Sequence, residues 1–265
     1  MNENLKYFAG AAAVVGLSIG AVIYISRHPS VPPPDVPAKT TTAPPPPVVP
    51  EEEAVKYPLP ETVVQEPLPS LNESDPLMWN ALVEMIGKES VQQFVIPKDL
   101  VRHIVVSIDN MPEEKVAERL RPMIPTPGRF SVAGPEDAPM LDPANYARYK
   151  PLVQLIRTTD TKSLIAIYSR YYPLFQEAYE SLGHPPQYFN DRLIAVIDHL
   201  LASPDLEGPI ALAQPNVLYQ FADPKLESLS AGQKVLIRMG TENARVVKEK
   251  LRELRGELVT QPPGN

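Results

Sequence analysis

Tyr7 to Ser26 form an unbroken run of twenty uncharged, mostly apolar residues. At ~1.5 Å per helical residue such a run reaches ~30 Å, the thickness of a bilayer's hydrocarbon core. The pattern predicts a transmembrane helix over 7–26 behind a short tail over 1–6. The run ends in Val22-Ile23-Tyr24-Ile25-Ser26-Arg27, with bulky side chains where signal cleavage needs small ones, so it reads as an uncleaved anchor. From Pro29 to Pro69, fourteen of forty-one residues are proline. Proline fixes φ and removes backbone donors, which predicts an extended, disordered linker over 27–70. Apolar residues at helical spacing then fill 71–259, before a disordered tail over 260–265.

Within 71–259 the punctuation predicts a mainly α domain. Asp75-Pro76 reads as a cap and first-turn proline for a helix through Met78, Trp79, Leu82, Met85 and Ile86, stopped by Gly87. A second segment passes Val91 and Phe94. Leu100, Val101, Ile104, Val105 and Ile108 give a third apolar face, and Pro112 to Leu120 reads as a short helix. Gly134 to Pro139, flanked by Phe130-Ser131-Val132 and Met140-Leu141, reads as a small β-hairpin or an ordered loop. Asp142-Pro143 starts the next helix, with Pro151 allowing a kink or restart. Asp160 or Thr159 caps a segment ending at Gly183 that Pro173 should bend. Tyr188 to Ala202 is the most apolar helix; Pro204 to Pro215 reads as irregular. Asp223-Pro224 is a third Asp-Pro start, Ser230-Ala231-Gly232-Gln233 a capping box, and Thr241 the cap of a last helix to about Val259.

About 190 residues suit one domain with a sizeable core. The net charge of −7 disfavours nucleic acid as a partner, which would call for a basic face. The chain has no cysteine, so it carries no disulfide, thiolate metal site or cysteine nucleophile.

Candidate chemistry is sparse. On the helix around Leu193 a wheel places Leu193, Ile194, Val196, Ile197, Leu200 and Leu201 on one broad side. Asp191 aligns with Asp198 and Arg192 with His199, each seven residues apart, with Ala195 between the rows. This polar stripe is either a partner- or ligand-binding surface or a solvated, internally salt-bridged face. Tyr168, Tyr172, Phe175 and Tyr179 share one helix face, with Tyr171 and Phe189 near in sequence; they line a groove or fill the core. In the apolar amino-terminal run, Ala12, Gly16 and Gly20 recur every four residues, the spacing at which a second helix can approach closely and form a homodimer. Ala244, Val247, Leu251, Leu254 and Leu258 give the last helix a two-heptad seam for its own domain or a partner helix. The four histidines, His28, His103, His184 and His199, form no paired ligand motif. No metal and no cofactor is expected.

The strings Leu141-Asp142-Pro143-Ala144-Asn145-Tyr146, Tyr188 to Leu193 with Ile197 to Leu201, and Pro215 to Tyr219 continuing through Phe221 to Lys234 occur in one order. On them the stretch from Leu71 to Val259 resembles the bacterial family catalogued as domain of unknown function 3014. The resemblance implies a bacterial envelope protein and brings no activity, cofactor or catalytic residue. The layout gives the functional expectation: a single-pass inner-membrane protein held in the bilayer by 7–26. Its helical domain, on the periplasmic side because a six-residue head tends to stay in the cytoplasm, binds an envelope protein or wall component without catalysis. Two alternatives stay open: an enzyme acting on envelope polymers with an acid–base site at Asp191, Asp198 and His199, and a cytoplasm-facing scaffold.

Overall fold

The computed structural model describes residues 55–59, 67–116, 118–184 and 187–260. The expected anchor, with Ala12, Gly16 and Gly20, lies outside the described residues. Among the described residues no helix is long and apolar enough to cross a membrane.

The domain is mainly helical, as the periodicity predicts. Helices α1 (Asp75–Ile86), α2 (Lys88–Phe94) and α3 (Leu100–Asp109) come first. A 3-10 turn at Glu118–Leu120 follows in place of the helix expected over Pro112 to Leu120. The carbonyls of Met111 and Glu113, which such a helix would use internally, accept instead from Gly232 N–H (3.1 Å) and Ala231 N–H (2.7 Å). Long-range backbone pairing overrides local propensity there.

The expected hairpin is present. Strand β1 (Val132–Ala133) pairs antiparallel with β2 (Met140–Leu141), Val132 opposite Leu141 and Ala133 opposite Met140. Helices α4 (Ala144–Thr158), α5 (Thr161–Glu180) and α6 (Phe189–Leu201) form the middle of the chain. Helices α4 and α5 run unbroken through Pro151 and Pro173. The stretch expected to be irregular after Pro204 contains strand β3 (Leu212–Ala213), which pairs antiparallel with β4 (Gln220–Phe221). A bridge from Met140 to Ala211 joins the two hairpins. A single turn, α7 (Pro224–Glu227), precedes α8 (Ala231–Arg238) and α9 (Thr241–Val259).

Several caps fall where the sequence signals them. Asp160 accepts from Ser163 N–H (2.7 Å), Asp223 from Lys225 N–H (2.8 Å), and Ser230 and Gln233 complete a capping box. Two differ. Asp75 lies inside α1, and its carboxylate accepts from Asp99 N–H (2.7 Å) and Leu100 N–H (2.8 Å), so it caps α3. Gly240, not Thr241, caps α9. At φ 83° and ψ 152° it occupies a region essentially reserved for glycine, and a Cβ there would meet the Tyr146 ring at 2.7 Å. The Thr241 hydroxyl donates to Leu206 O (2.7 Å).

Helix α9 packs along α4, α5 and α6, and α3 lies against α5 and α6. The main core gathers fully buried Leu82, Phe175, Phe189 and Leu254, and each such side chain is worth ~1.5–3 kcal/mol of transfer free energy. A smaller cluster of Leu141, Ile210, Leu212, Phe221 and Ile237 sits under the hairpins. Leu59 and Tyr57, from the stretch expected to be a free linker, also pack on the main core.

Candidate functional site

The start of α6 is where a bent segment, Val55–Leu59, meets aromatic side chains and charges. Its N-cap, Tyr188, makes no side-chain bond to the helix's own N–H groups. Two side chains of α5 serve its first N–H groups instead: Gln176 Oε1 accepts from Phe189 N–H (2.8 Å) and the Tyr172 hydroxyl oxygen from Asn190 N–H (3.3 Å). The Tyr172 hydroxyl itself donates to Gln176 Oε1 (2.8 Å). Burial pushes the ionisation of Tyr172 far above the ordinary phenol range, with Tyr168 and Tyr188 adding to it. Tyr168 is displaced the same way, again chiefly by burial.

The four side chains of the expected stripe share no common partner. Asp191 faces the segment Val55–Leu59: Oδ2 accepts from Lys56 N–H (2.9 Å) and Oδ1 from Tyr57 N–H (2.8 Å). Arg192 turns to α3, where its Nε donates to Asp109 Oδ1 (2.7 Å) and its Nη2 to Asp109 O (2.7 Å). His184 lies 3.5 Å from the other oxygen of that carboxylate. Asp198 forms a two-pronged ion pair with Arg255 of α9, one prong at 3.0 Å. His199 Nε2 lies 2.8 Å from Ser230 Oγ, and its carbonyl accepts from Gln233 Nε2 (3.0 Å). Burial, then the Arg192 charge, lowers the His199 pKa below its ordinary value. The four side chains thus fasten α6 to four different parts of the chain, and Ala195 between them is exposed.

The aromatic face is interior. Tyr168 and Phe175 are buried, and Tyr168 meets Tyr172 edge-on with centroids 5.5 Å apart. Phe175 stacks on Phe189 at 6.2 Å, and Tyr172 approaches Tyr188 at 5.1 Å. Two polar atoms in this region, the Tyr168 hydroxyl and Asn190 Oδ1, have no hydrogen-bond partner among the described residues. Asn190 is fully buried, and its Nδ2 donates to Tyr57 O (2.9 Å).

A cleft of about 660 Å³ opens between Pro204–Gly208 and the start of α9, lined by Tyr146, Lys150, Ile237 and Arg245. Neither the stripe residues nor Tyr168, Tyr172, Phe175 and Tyr179 line it. Among the described residues no group of three His, Asp or Glu side chains is arranged to hold a metal ion. The seam of α9 is turned into the domain, with Leu251, Leu254 and Leu258 buried. Two of its lysines are buried as well: Lys248 donates to Ser203 O and Asp205 Oδ1 (both 2.7 Å), and Lys250 donates to Glu253 Oε2 (2.6 Å) and Thr159 O (3.1 Å).

Reading along the sequence took Ser230 only as a helix cap, and it missed Asn190, Asp109, Arg255 and the segment Val55–Leu59. The last alone carried a signal: Tyr57 and Leu59 are an aromatic and an aliphatic side chain flanking a proline inside a solvated stretch. Asp109, Ser230 and Arg255 reach α6 only through tertiary folding.

No curated protein and no solved structure matches the chain. The family described as "Protein of unknown function (DUF3014)" matches residues 100–255, which is more than half of the chain and runs from α3 into α9. It takes in Tyr168, Tyr172, the whole Asp191 to His199 stripe and its partners Asp109, Ser230 and Arg255, and on that match the chain belongs to the protein family of unknown function DUF3014.

Proposed function

We propose that this chain is a membrane-tethered protein of the bacterial cell envelope whose helical domain binds another protein or a wall component and performs no catalysis. In this reading Tyr7 to Ser26 span the inner membrane, the proline-rich stretch spaces the domain away from the bilayer, and the domain works on the periplasmic side. The observation that carries the binding role is the grip of Asn190 and Asp191 on the main chain of Lys56 and Tyr57. A surface that holds a chain segment by its main-chain N–H and C=O groups is a recognition surface. Catalysis is disfavoured by the same geometry. An acid–base site needs its groups to converge on one reacting atom, whereas Asp191, Asp198 and His199 each face a different structural partner.

Two measurements test the proposal. Alkaline phosphatase fused to the carboxy terminus is expected to be active in cells, since that reporter works only when exported. A photo-crosslinking residue at exposed Ala195, in the full chain at native expression, is expected to give one reproducible adduct. An inactive reporter overturns the periplasmic placement; absence of any reproducible adduct, in cells whose envelope changes when the gene is lost, overturns the binding role.

A further inference from the structure

The segment Lys56-Tyr57-Pro58-Leu59 is held in a way that depends little on its belonging to this chain. Its backbone has three N–H groups, because Pro58 has none, and all three are accepted. Lys56 and Tyr57 donate to the two oxygens of Asp191, and Leu59 donates to the Tyr188 hydroxyl oxygen (2.9 Å). The Tyr57 carbonyl accepts from Asn190 Nδ2. The one position without an acceptor facing it is the one filled by proline. Side-chain selection falls to two residues: Leu59, 8% exposed in the main core, and Tyr57, packed against it. Lys56 and Val55 are exposed. Behind the segment, the fully buried Asn190 keeps an unpartnered Oδ1 among the described residues, a polar group held in place by the fold at the floor of the grip.

We propose that the start of α6 is a peptide-binding site for an aromatic–proline–aliphatic segment of a partner protein that bends at its first two residues, and that Lys56–Leu59 is its occupant in cis, a built-in competitor. This rests on the binding role proposed above and names its ligand. The recognition mode is main-chain hydrogen bonding for affinity, with the Tyr57 and Leu59 side chains packed on the main core for selectivity. A bound segment with only two packed side chains belongs to the low-stability end of the structure, where local opening is frequent. Its hold comes from being tethered beside the site, which gives an effective concentration on the order of millimolar. A partner segment of the same pattern must compete with that, so free peptide binds the intact chain weakly, in proportion to the fraction of open sites.

The test uses the full chain and a fluorescein-labelled peptide with the sequence of Val55 to Leu59, read by fluorescence polarisation. The double variant Tyr57→Ala, Leu59→Ala is expected to bind the peptide at least ~10-fold more tightly than the unmodified chain, the factor removed being the competition in cis. Adding Asp191→Ala to that variant is expected to weaken binding by ~10-fold or more, as loss of two charge-assisted hydrogen bonds requires. A double variant that keeps the circular dichroism of the parent yet binds no more tightly overturns the proposal, as does an Asp191→Ala change without effect. Should the double variant fail to fold, hydrogen exchange in the unmodified chain decides: millimolar peptide is expected to speed exchange of the Tyr57 and Leu59 amides, and unchanged exchange overturns the proposal. If peptide binding fails while the Ala195 adduct persists, the ligand assignment falls and the binding role stands.

Discussion

His199, which the sequence offers for an acid–base site, contacts Ser230 and carries a measurable signature. Burial and the Arg192 guanidinium both oppose its protonation, so its folded pKa lies below the ordinary value. His103 shifts the same way, chiefly by burial, although Asp99 and Asp75 pull against it. For a depressed histidine, the unfolded chain binds more protons in the interval between the two pKa values. Its stabilising effect is therefore complete above about pH 6.5 and is lost as pH falls toward the folded pKa. The carboxylates held low by hydrogen bonds, Asp160 at Ser163, Asp205 at Lys248 and Glu253 at Lys250, have the same sign but titrate in the more acidic range. Stability is thus expected to decline from pH 7 to pH 5, by no more than ~1.4 kcal/mol per pH unit for each histidine. His199→Gln, which retains a hydrogen-bonding group toward Ser230, is expected to flatten that slope in denaturant titrations at successive pH values. An unaltered slope would remove His199 as a contributor.

Helices whose ends are written in local chemistry were legible in the sequence. Gly87 after Ile86, Asp160 before Thr161 and the Ser230–Gln233 box each act within one turn of where they stand, so no knowledge of the fold is needed to find them. Elements fixed by distant backbone partners were not. The expected helix from Pro112 fails because its carbonyls are taken by α8, more than a hundred residues on. The β3–β4 pair escaped because two-residue strands carry no periodicity, and β1–β2, equally short, was legible only through the turn residues Gly134 to Pro139. The candidate stripe was legible as composition, not as geometry: the wheel puts Asp191, Arg192, Asp198 and His199 on adjacent rows but says nothing of Asp109, Arg255 or Ser230. Ser230 joins both kinds of information, since its hydroxyl accepts from Gln233 N–H (3.2 Å) and meets His199 at 2.8 Å. Ser230→Ala is expected to cost ~1–2 kcal/mol, at the upper end for a lost N-cap because a contact to α6 goes with it. Urea unfolding should show a lower midpoint at unchanged slope. A loss below a few tenths of a kcal/mol would mean that water replaces the hydroxyl without penalty.

The two hydrophobic clusters divide the molecule unequally, and the division predicts how it opens. The main core is continuous from α1 to α9 and includes wholly buried Leu82, Phe175, Phe189 and Leu254. The smaller cluster rests on Leu141, Ile210, Leu212, Phe221 and Ile237, under two hairpins with two-residue strands. Strand pairs that short are marginal alone, and these are held by the Met140–Ala211 bridge, by Leu141 N–H to Ile210 O (2.8 Å) and by Arg238 over the Phe221 ring at 5.2 Å. Opening the hairpins exposes few apolar side chains, whereas freeing α6 exposes the centre of the main core. Native-state hydrogen exchange is therefore expected to separate two classes of amide. Leu212 and Ala222, which donate to Pro139 O and Ala211 O, should exchange through a local opening whose free energy barely changes with low denaturant. Amides of Leu193 to Ile197 should exchange only through an opening that steepens with denaturant and converges on global unfolding. If the two sets instead share one free energy and one denaturant slope, the hairpin patch and the helical core form a single cooperative unit and the smaller cluster is not a separable part of the fold.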